Sequence, residues 1–474
     1  MEPINVVERL GRWSSGRGPL YLLLAARIRT LIDEGELPPG AQLPPDRALA
    51  AALAVGRTTV VAAYDQLTVE GRIVRRQGSG TRVAGPAAVP ARQTTDAPAF
   101  LHLLEPRDGV ILMACAAPDA PPPELVDAYA RMLPALADTV GDIGYHPLGH
   151  AELRRAIAAR YTDRGVPTAS EQILITTGGQ QAISLIARAL LRPGDRVLVE
   201  APTYPGALEA FREEAAVLRT LPIGLPGLRA ALATHRPTLV YAIPTFHNPT
   251  GAVLPESSRR RLVRDAAAVG VVLIEDEVLA DLGFPGERPP APLAAYGDQV
   301  ITIGSLSKTV WGGLRIGWLR APTPMVARLG RLRAVQDLGG NVPAQLAAAR
   351  LLSDLDAVRE RGAAQRRARH DHLRAELARA LPDWEVPAVR GGQTLWIRLP
   401  RGDGGSFAQH ALRYGVAVLP GVGLDASGGS TEYVRMHFLA SPDESSEAVR
   451  RLAAAWQAYE PSSDRIGGPP PLAI

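Results

Sequence analysis

The segment Val300-Ile-Thr-Ile-Gly-Ser-Leu-Ser-Lys308 places a lysine directly after a short β-branched run that is typical of a buried strand. Lys308 is the only lysine among 52 basic residues, and all the others are arginine. Arginine replaces lysine in ion pairs, but its guanidinium keeps its proton and cannot attack a carbonyl. Lys308 is therefore a candidate Schiff-base nucleophile, and a chance survivor on the surface is the competing interpretation.

Similar apolar runs recur along the chain between helical patterns. Several of them are continuous rather than alternating, as expected for strands that are buried on both faces. The pattern predicts an α/β fold with a largely parallel sheet, in which functional side chains lie at the strand ends. The other predicted strands are Ile173–Thr176, Arg196–Glu200, Leu239–Ile243, Val271–Glu275 and Ile316–Leu319.

Polar residues follow these runs. The first run continues into Thr177-Gly-Gly-Gln-Gln-Ala182, a glycine turn at a predicted helix N-terminus that suits a phosphate group. The next three runs are followed by Tyr204, by the turn Asn248-Pro-Thr-Gly251 and by Asp276. Each of these features is common by itself, and the specific signal is their combination with Lys308.

The first 92 residues carry 12 arginines and 8 acidic residues, which accounts for the whole net charge of +4. Helical spacing predicts helices over Leu20–Gly35, from Pro44 to about Ala54, and over Arg57–Glu70. The following segment, Arg72–Val83, alternates around Gly-Ser-Gly and predicts a hairpin. This order indicates a winged helix-turn-helix, although three helices with a few arginines also occur in packing modules.

The segments Gly35–Arg47, Gly56-Arg-Thr-Thr-Val60 and Gly71–Thr81 resemble the DNA-binding domain of the GntR family of bacterial regulators, over residues 19–84. The resemblance implies double-stranded DNA as a partner. The residues that it implies as DNA contacts are Arg47, Arg57, Thr58, Thr59, Gly78, Ser79, Gly80 and Thr81.

The constellation at the strand ends resembles the fold-type I aminotransferases that bind pyridoxal 5′-phosphate (PLP), over about residues 110–460. The resemblance implies that Lys308 holds PLP as an aldimine, that Asp276 faces the pyridine nitrogen and that Asn248 bonds the ring O3′. It implies ring stacking by Tyr204 and binding of a ligand carboxylate by Arg435. The implied phosphate ligands are Gly178, Gly179, Gln180, Ser305, Arg315 and, from a neighbouring subunit, Tyr145.

The chain departs from this family at one place. Family members often have a tyrosine two or three residues after the pyridine aspartate, and this chain has Val278 and Leu279 there. The missing phenol would tune the pKa of the aldimine. We therefore expect PLP binding without efficient transamination.

The order of these parts resembles the MocR/GabR family of transcriptional regulators. The expected organisation is a winged helix at 1–84, a linker at 85–108, an aminotransferase-like domain with a smaller C-terminal α/β subdomain at 109–460, and a disordered tail at 461–474. The expected function is PLP-dependent control of DNA binding, with PLP itself or an amino compound as the effector. The alternatives are an active aminotransferase with a vestigial N-terminal domain and a dimerisation scaffold without a cofactor.

Composition limits the other possibilities. A single cysteine, Cys115, predicts neither a disulfide framework nor a cysteine-based metal site, and the scattered histidines predict no metal site either. No apolar run approaches the roughly 20 residues of a membrane span. We expect a cytoplasmic homodimer, because one winged helix alone offers few DNA contacts.

Overall fold

The structure is a computed structural model that describes residues 6–11, 13–14, 19–34, 36–38, 40–69, 72–76, 80–83 and 108–461. The chain divides into two units, residues 1–97 and 98–474, and this division falls within the predicted linker. Most of that linker lies outside the described residues, as do residues 462–474 of the predicted tail and the wing residues Gly78 and Ser79.

The first unit packs four helices against a small antiparallel sheet with strand order β1-β3-β2. Its elements are α1 (Val6–Leu10), α2 (Leu20–Asp33), β1 (Gln42–Leu43), α3 (Asp46–Ala52), α4 (Arg57–Val69), β2 (Ile73–Arg76) and β3 (Gly80–Val83). The predicted inward residues of the third helix, Val60, Tyr64 and Leu67, are fully buried. The winged helix-turn-helix prediction is confirmed.

An ion-pair network fixes the hairpin against the helices. Arg75 of β2 contacts Asp46 of α3 and Asp65 of α4, each at 2.7 Å. The guanidinium of Arg75 also lies 5.7 Å from the ring centroid of the buried Tyr64. Arg75 therefore connects β2 to both α3 and α4.

A seven-stranded sheet with order β5-β11-β10-β9-β8-β6-β7 forms the centre of the second unit, and only β11 runs antiparallel. All six predicted strands are present, which confirms the α/β fold. The seventh, β7, lies at the sheet edge and was not predicted. The strands are β5 (Ile173–Thr176), β6 (Arg196–Ala201), β7 (Val217–Pro222), β8 (Leu239–Ala242), β9 (Val272–Asp276), β10 (Val300–Ser305) and β11 (Gly317–Arg320).

Helices cover both faces of this sheet, and apolar clusters lie on its two sides. The glycine turn after β5 leads into α7, and Tyr204 after β6 leads into α8. The helices are α5 (Pro123–Ala137), α6 (Ala151–Asp163), α7 (Gly179–Leu190), α8 (Pro205–Glu213), α9 (Leu228–His235), α10 (Glu256–Ala267), α11 (Thr323–Asp337) and α12 (Val342–Leu351).

A smaller α/β subdomain follows, as expected, around a core of its own. Its main sheet has the antiparallel order β12-β15-β14, and β13 pairs in parallel with β4 from the start of the unit. The elements are β4 (Ile111–Leu112), α13 (Leu355–Ala380), β12 (Thr394–Arg398), α14 (Gly404–Arg413), β13 (Val416–Ala417), β14 (Leu419–Pro420), β15 (Tyr433–His437) and α15 (Pro442–Ala458).

Gly317, at the start of β11, lies directly against the glycine turn. A Cβ atom there would come within 2.6 Å of the backbone carbon of Gly178 and 3.0 Å of the carbonyl oxygen of Gly304. Because backbone atoms cannot move aside cheaply, we expect Gly317→Ala to lower the free energy of unfolding by about 1–3 kcal/mol. Chemical denaturation measures the loss.

The matched control is Gly312→Ala, because a Cβ at Gly312 would meet no atom within 4 Å. We expect this control to stay within about 0.5 kcal/mol of the wild type. Equal stability of the two variants would contradict the proposed close approach of β11 to the Gly178 turn.

Candidate cofactor site and nucleic-acid surface

The carboxyl ends of the parallel strands surround a cavity of about 170 Å³. Eight of the ten predicted cofactor-binding residues line it, and they come from the ends of five strands and the segments that follow them. These eight are Gly179, Gln180, Tyr204, Asn248, Asp276, Ser305, Lys308 and Arg315. The fold therefore brings these residues around one space.

Lys308 lies in the turn that follows β10. Its Nζ donates a hydrogen bond to the carbonyl oxygen of Ala116 at 2.6 Å. Burial lowers the pKa of Lys308 below its usual value, since the ammonium loses its hydration. An amine that loses its proton more readily is better suited to attack a carbonyl.

Asp276 ends β9, and its carboxylate accepts two hydrogen bonds. The Tyr241 hydroxyl donates to Oδ2 at 2.6 Å, and the Val278 backbone N–H donates to Oδ1 at 2.9 Å. Burial raises the pKa of Asp276, and these two donors act in the opposite direction. Tyr241 was not among the predicted site residues. Val278 and Leu279, where a tyrosine is often found, line the cavity with apolar surface.

The glycine turn, Arg315 and Ser305 form one wall of the cavity. Gly178 has a φ of +117°, and a Cβ there would lie 2.9 Å from Nη2 of Arg315. Arg315 itself adopts the left-handed conformation and donates to the carbonyls of Gly312 and Thr177. Together with the N-terminus of α7, these groups form a positively charged pocket with glycines at its base, which suits a phosphate.

Ser307 also lines this cavity and was not predicted. Its backbone N–H donates to the Ser305 hydroxyl at 3.1 Å, which in turn donates to the carbonyl oxygen of Ile316 at 3.2 Å. The signal for Ser307 was present in the sequence, because it directly precedes Lys308 in Ser-Leu-Ser-Lys.

Tyr204 caps the N-terminal end of α8, and its hydroxyl donates to Oε1 of Gln180 at 3.0 Å. The amide of Gln180 donates in turn to the carbonyl oxygen of Gly206 at 2.8 Å. Burial raises the pKa of Tyr204 to about 12, so the phenol stays neutral at physiological pH. The ring is therefore held at the cavity wall as an uncharged aromatic surface.

Arg435 lies on β15 and reaches the same site from the smaller subdomain. Its guanidinium donates to Oδ1 of Asn248 at 3.0 Å and to the carbonyl oxygen of Ala114 at 2.6 Å. Its Nε is buried and has no partner among the described residues. Burial lowers the pKa of Arg435 to about 10, which still leaves it charged at neutral pH. An incoming carboxylate can satisfy it.

These observations fit PLP. The cavity provides a lysine with a lowered pKa, a buried carboxylate, an aromatic wall, a phosphate cradle and a buried arginine with a free donor. Two predicted cofactor residues are not part of its lining: Gly178 lies against Arg315, and Tyr145 lies on the surface with 62% of its area exposed. Among the described residues, no group of three or more His, Cys, Asp and Glu could hold a metal ion.

The predicted DNA contacts of the helices lie on the surface of the first unit. Arg47 in the first turn of α3 is exposed, as are Arg57 and Thr58 at the N-terminus of α4, while Thr59 is half-buried. Arg57 and Thr58 therefore stand where a recognition helix can reach a DNA groove.

The wing residues differ from one another. Gly80 is exposed with a φ of +83°, which suits the tight hairpin. Thr81 is only 7% exposed, and its backbone pairs with Leu43 of β1. Alternate residues of a strand face opposite sides, and the Thr81 side chain faces inward. The DNA contact at Thr81 stays a prediction.

Two family models match the chain. Residues 20–83 match the model for bacterial regulatory proteins of the gntR family, and residues 108–452 match aminotransferase class I and II. Among the described residues, no helix is long and apolar enough to cross a lipid bilayer.

Similar proteins include both regulators and an enzyme. The chain is 32% identical to the uncharacterized HTH-type transcriptional regulator YisV of Bacillus subtilis, over 82% of this chain and 86% of that one. It is 32% identical to the probable rhizopine catabolism regulatory protein MocR of Rhizobium meliloti, over 68% and 69%. The α-aminoadipate aminotransferase LysN of Thermus thermophilus, solved with N-(5′-phosphopyridoxyl)-L-leucine, is 30% identical, with a TM-score of 0.70 over 78% of this chain and 97% of that chain.

Proposed function

Because the chain belongs to the aminotransferase class I and II family and, with its GntR domain, to the MocR/GabR family of transcriptional regulators, we propose that occupancy of the Lys308 site controls how the winged helix binds DNA. The protein is a regulator with a PLP-binding, aminotransferase-like domain. The proposed effector is PLP itself or an amino compound that reacts with it. When bound, PLP supplies an electrophilic carbonyl and an electron-withdrawing ring.

One observation carries this proposal: the same chain gathers eight of the ten predicted cofactor residues around one cavity and exposes the N-terminus of α4. We assign covalent attachment to Lys308 and the partner of the pyridine nitrogen to Asp276, which Tyr241 orients. The O3′ contact belongs to Asn248 and the stacking surface to Tyr204.

The anionic groups have two separate positions in the proposed site. The phosphate binds at the turn of Gly178, Gly179 and Gln180, with Ser305 and Arg315. A ligand carboxylate binds Arg435, whose Nε is the unpartnered donor. An amino acid or a related amine with an acidic group therefore matches the site better than an amine without an acidic group does.

A working aminotransferase is the second candidate, and the similarity to LysN favours it. Against it, apolar Val278 and Leu279 occupy the positions from which a phenol would tune the reactivity of the cofactor. The test is a DNA titration of the full chain with and without PLP and candidate amines, together with an assay of amino-donor turnover. A ligand-dependent DNA affinity supports the sensor, whereas rapid turnover with constant DNA affinity supports the enzyme.

We also propose that the protein is a cytoplasmic homodimer. Large apolar side chains are exposed on α5, in the segment that follows it, and around the end of α11. The most exposed are Val140 at 92%, Val335 at 87% and Ile143 at 82%, and Gly339 places the end of α11 against the backbone of His146. Single soluble chains rarely expose so much apolar surface in one region. Tyr145 lies in this surface, which is consistent with a role in the phosphate site of a second copy.

We expect sedimentation at twice the mass of one chain for the PLP-loaded protein at micromolar concentration. The double variant Val140→Asp with Ile143→Asp should sediment as a monomer, because it would bury two carboxylates in the interface. The control is Val269→Asp, which alters an exposed valine at the end of α10, outside this region. A wild-type monomer, or a dimer unaffected by the double variant, would exclude this interface.

A further inference from the structure

A second and larger cavity, of about 670 Å³, adjoins the cofactor cavity, and Lys308 lines both. Its walls are the segment from 112 to 123, the turn after Lys308, the first half of α13, Gln393 and the segment from 437 to 444. Neither Arg435 nor Asn248 belongs to its lining, so it is distinct from the proposed carboxylate position, and it shares only Lys308 with the lining of the cofactor cavity.

Three polar side chains in this second cavity have buried atoms with no hydrogen-bond partner among the described residues. They are Oγ1 of Thr309, Oε1 of Gln393, and Nε and Nη2 of Arg366. Their side chains are at least nine-tenths buried, with residue exposures of 7%, 2% and 7%. An unsatisfied buried polar group costs about 1–3 kcal/mol, and more if it is charged, so such groups converging on one cavity indicate a ligand.

One cation of the lining, Arg366, lacks an ion-pair partner among the described residues, although the charge of Asp281 acts on it from outside the lining. Arg361 is paired with Glu124, and Arg369 donates to the carbonyl oxygen of Leu439. Asp119 and Glu444 also line the cavity, but neither is within ion-pair distance of Arg366 among the described residues. Burial lowers the pKa of Arg366 to about 10, so it remains charged at neutral pH.

The neighbouring histidine adds no positive charge. Nε2 of His437 lies 2.7 Å from the carbonyl oxygen of Leu112, and its Nδ1 accepts a hydrogen bond from the Leu439 N–H at 3.0 Å. Burial lowers the pKa of His437 to about 4, so the ring is neutral at physiological pH. Arg366 is therefore the buried charge that a ligand would neutralise.

We propose that this cavity binds a small organic acid, with a carboxylate on Arg366 and further polar groups on Thr309 and Gln393. A guanidinium presents parallel N–H donors that match the two oxygens of a carboxylate. Gln393 donates through Nε2 to the carbonyl oxygen of Lys308 at 3.1 Å. A ligand that donates to Oε1 of the same amide would therefore be separated from the Lys308 backbone only by the Gln393 side chain. This is a second ligand site, beyond the effector site proposed above.

The test is isothermal titration calorimetry of the full PLP-loaded chain with succinamate and glutaramate, whose carboxylate fits Arg366 and whose amide N–H can donate to Oε1 of Gln393, and with succinamide as a neutral analogue. Arg366→Gln should weaken binding of the acids roughly 10- to 100-fold, because a charged hydrogen-bond partner is lost. Thr309→Val keeps the side-chain shape, removes an unpartnered hydroxyl, and should weaken binding about fivefold. Arg379→Gln is the control, since it removes an equal charge from the exposed end of the same helix.

Binding of both acids without binding of succinamide, together with weakening in both cavity variants, supports the site. If neither acid binds the wild type, or if affinity is unchanged in both cavity variants, the proposal is overturned; in the latter case the acids occupy Arg435. Should Arg366→Gln fail to fold, Thr309→Val decides alone, and an unchanged affinity in that variant overturns the proposal.

Discussion

Lys308→Ala will abolish covalent attachment of PLP while leaving DNA binding intact. Lys308 is the only lysine in the chain and lies in the cavity, with a pKa that burial lowers. Borohydride reduction followed by peptide mapping should place a pyridoxyl group on Lys308 of the wild type and on no peptide of the variant. The yellow colour expected for the wild type should be lost with it.

The effect on regulation is the second part of this prediction. If ligand and DNA binding are linked, each changes the affinity for the other by the same factor, and such couplings are typically about 1–3 kcal/mol. In a DNA titration, wild-type affinity should therefore shift by roughly 5- to 150-fold with ligand, and the affinity of Lys308→Ala should not shift.

Lys308→Arg is the matched variant, because it keeps a cation that cannot lose its proton. We expect it to behave like Lys308→Ala. A ligand response that persists in both variants would show that sensing does not depend on the amine of Lys308. If instead neither variant binds DNA, the proposed independence of the winged helix from the PLP site is wrong.

Arg57→Ala will weaken specific DNA binding by about 1–3 kcal/mol if the guanidinium contacts a base edge. Arg57 is the first residue of α4 and is exposed. If it contacts only a phosphate, affinity falls similarly on all sequences and the slope of log affinity against log salt decreases by about 1. Titration of operator and unrelated duplexes at several salt concentrations separates these two cases.

Arg450→Ala is the control, since Arg450 is an exposed arginine paired with Glu447 on α15, so the same charge is removed far along the chain. We expect wild-type DNA affinity and salt dependence for this control. If Arg57→Ala also leaves the DNA affinity and its salt dependence unchanged, α4 is not the recognition helix.

The strands that were predicted and the one that was missed differ in burial. The six predicted strands are mostly buried along their length, so each is a continuous apolar run that is visible in the sequence. β7 consists of half-buried residues and the exposed Arg219 and Pro222. It therefore has no continuous apolar run, unlike β5 at the other edge of the sheet, which is buried throughout.

The candidate site likewise contains residues that local sequence signals predict and residues that they do not. Residues that end parallel strands, such as Asp276 and Tyr204, are predictable because the carboxyl ends of those strands meet at one edge of the sheet. Tyr241 is not, since it contacts Asp276 from a neighbouring strand 35 residues away in the chain. The inward orientation of Thr81 likewise follows from its pairing with β1, which the local hairpin pattern does not contain.

The sequence by itself determined the two domain types, six of the seven strands of the central sheet and the identity of the lysine, because buried strands, helix-turn-helix spacing and a single retained amine are local signals. Only the tertiary structure decided which polar groups are left without partners, as at Arg366 and Arg435. Whether a buried guanidinium is satisfied depends on every element packed around it, and those elements are distant in sequence. That information exists only once the chain is folded.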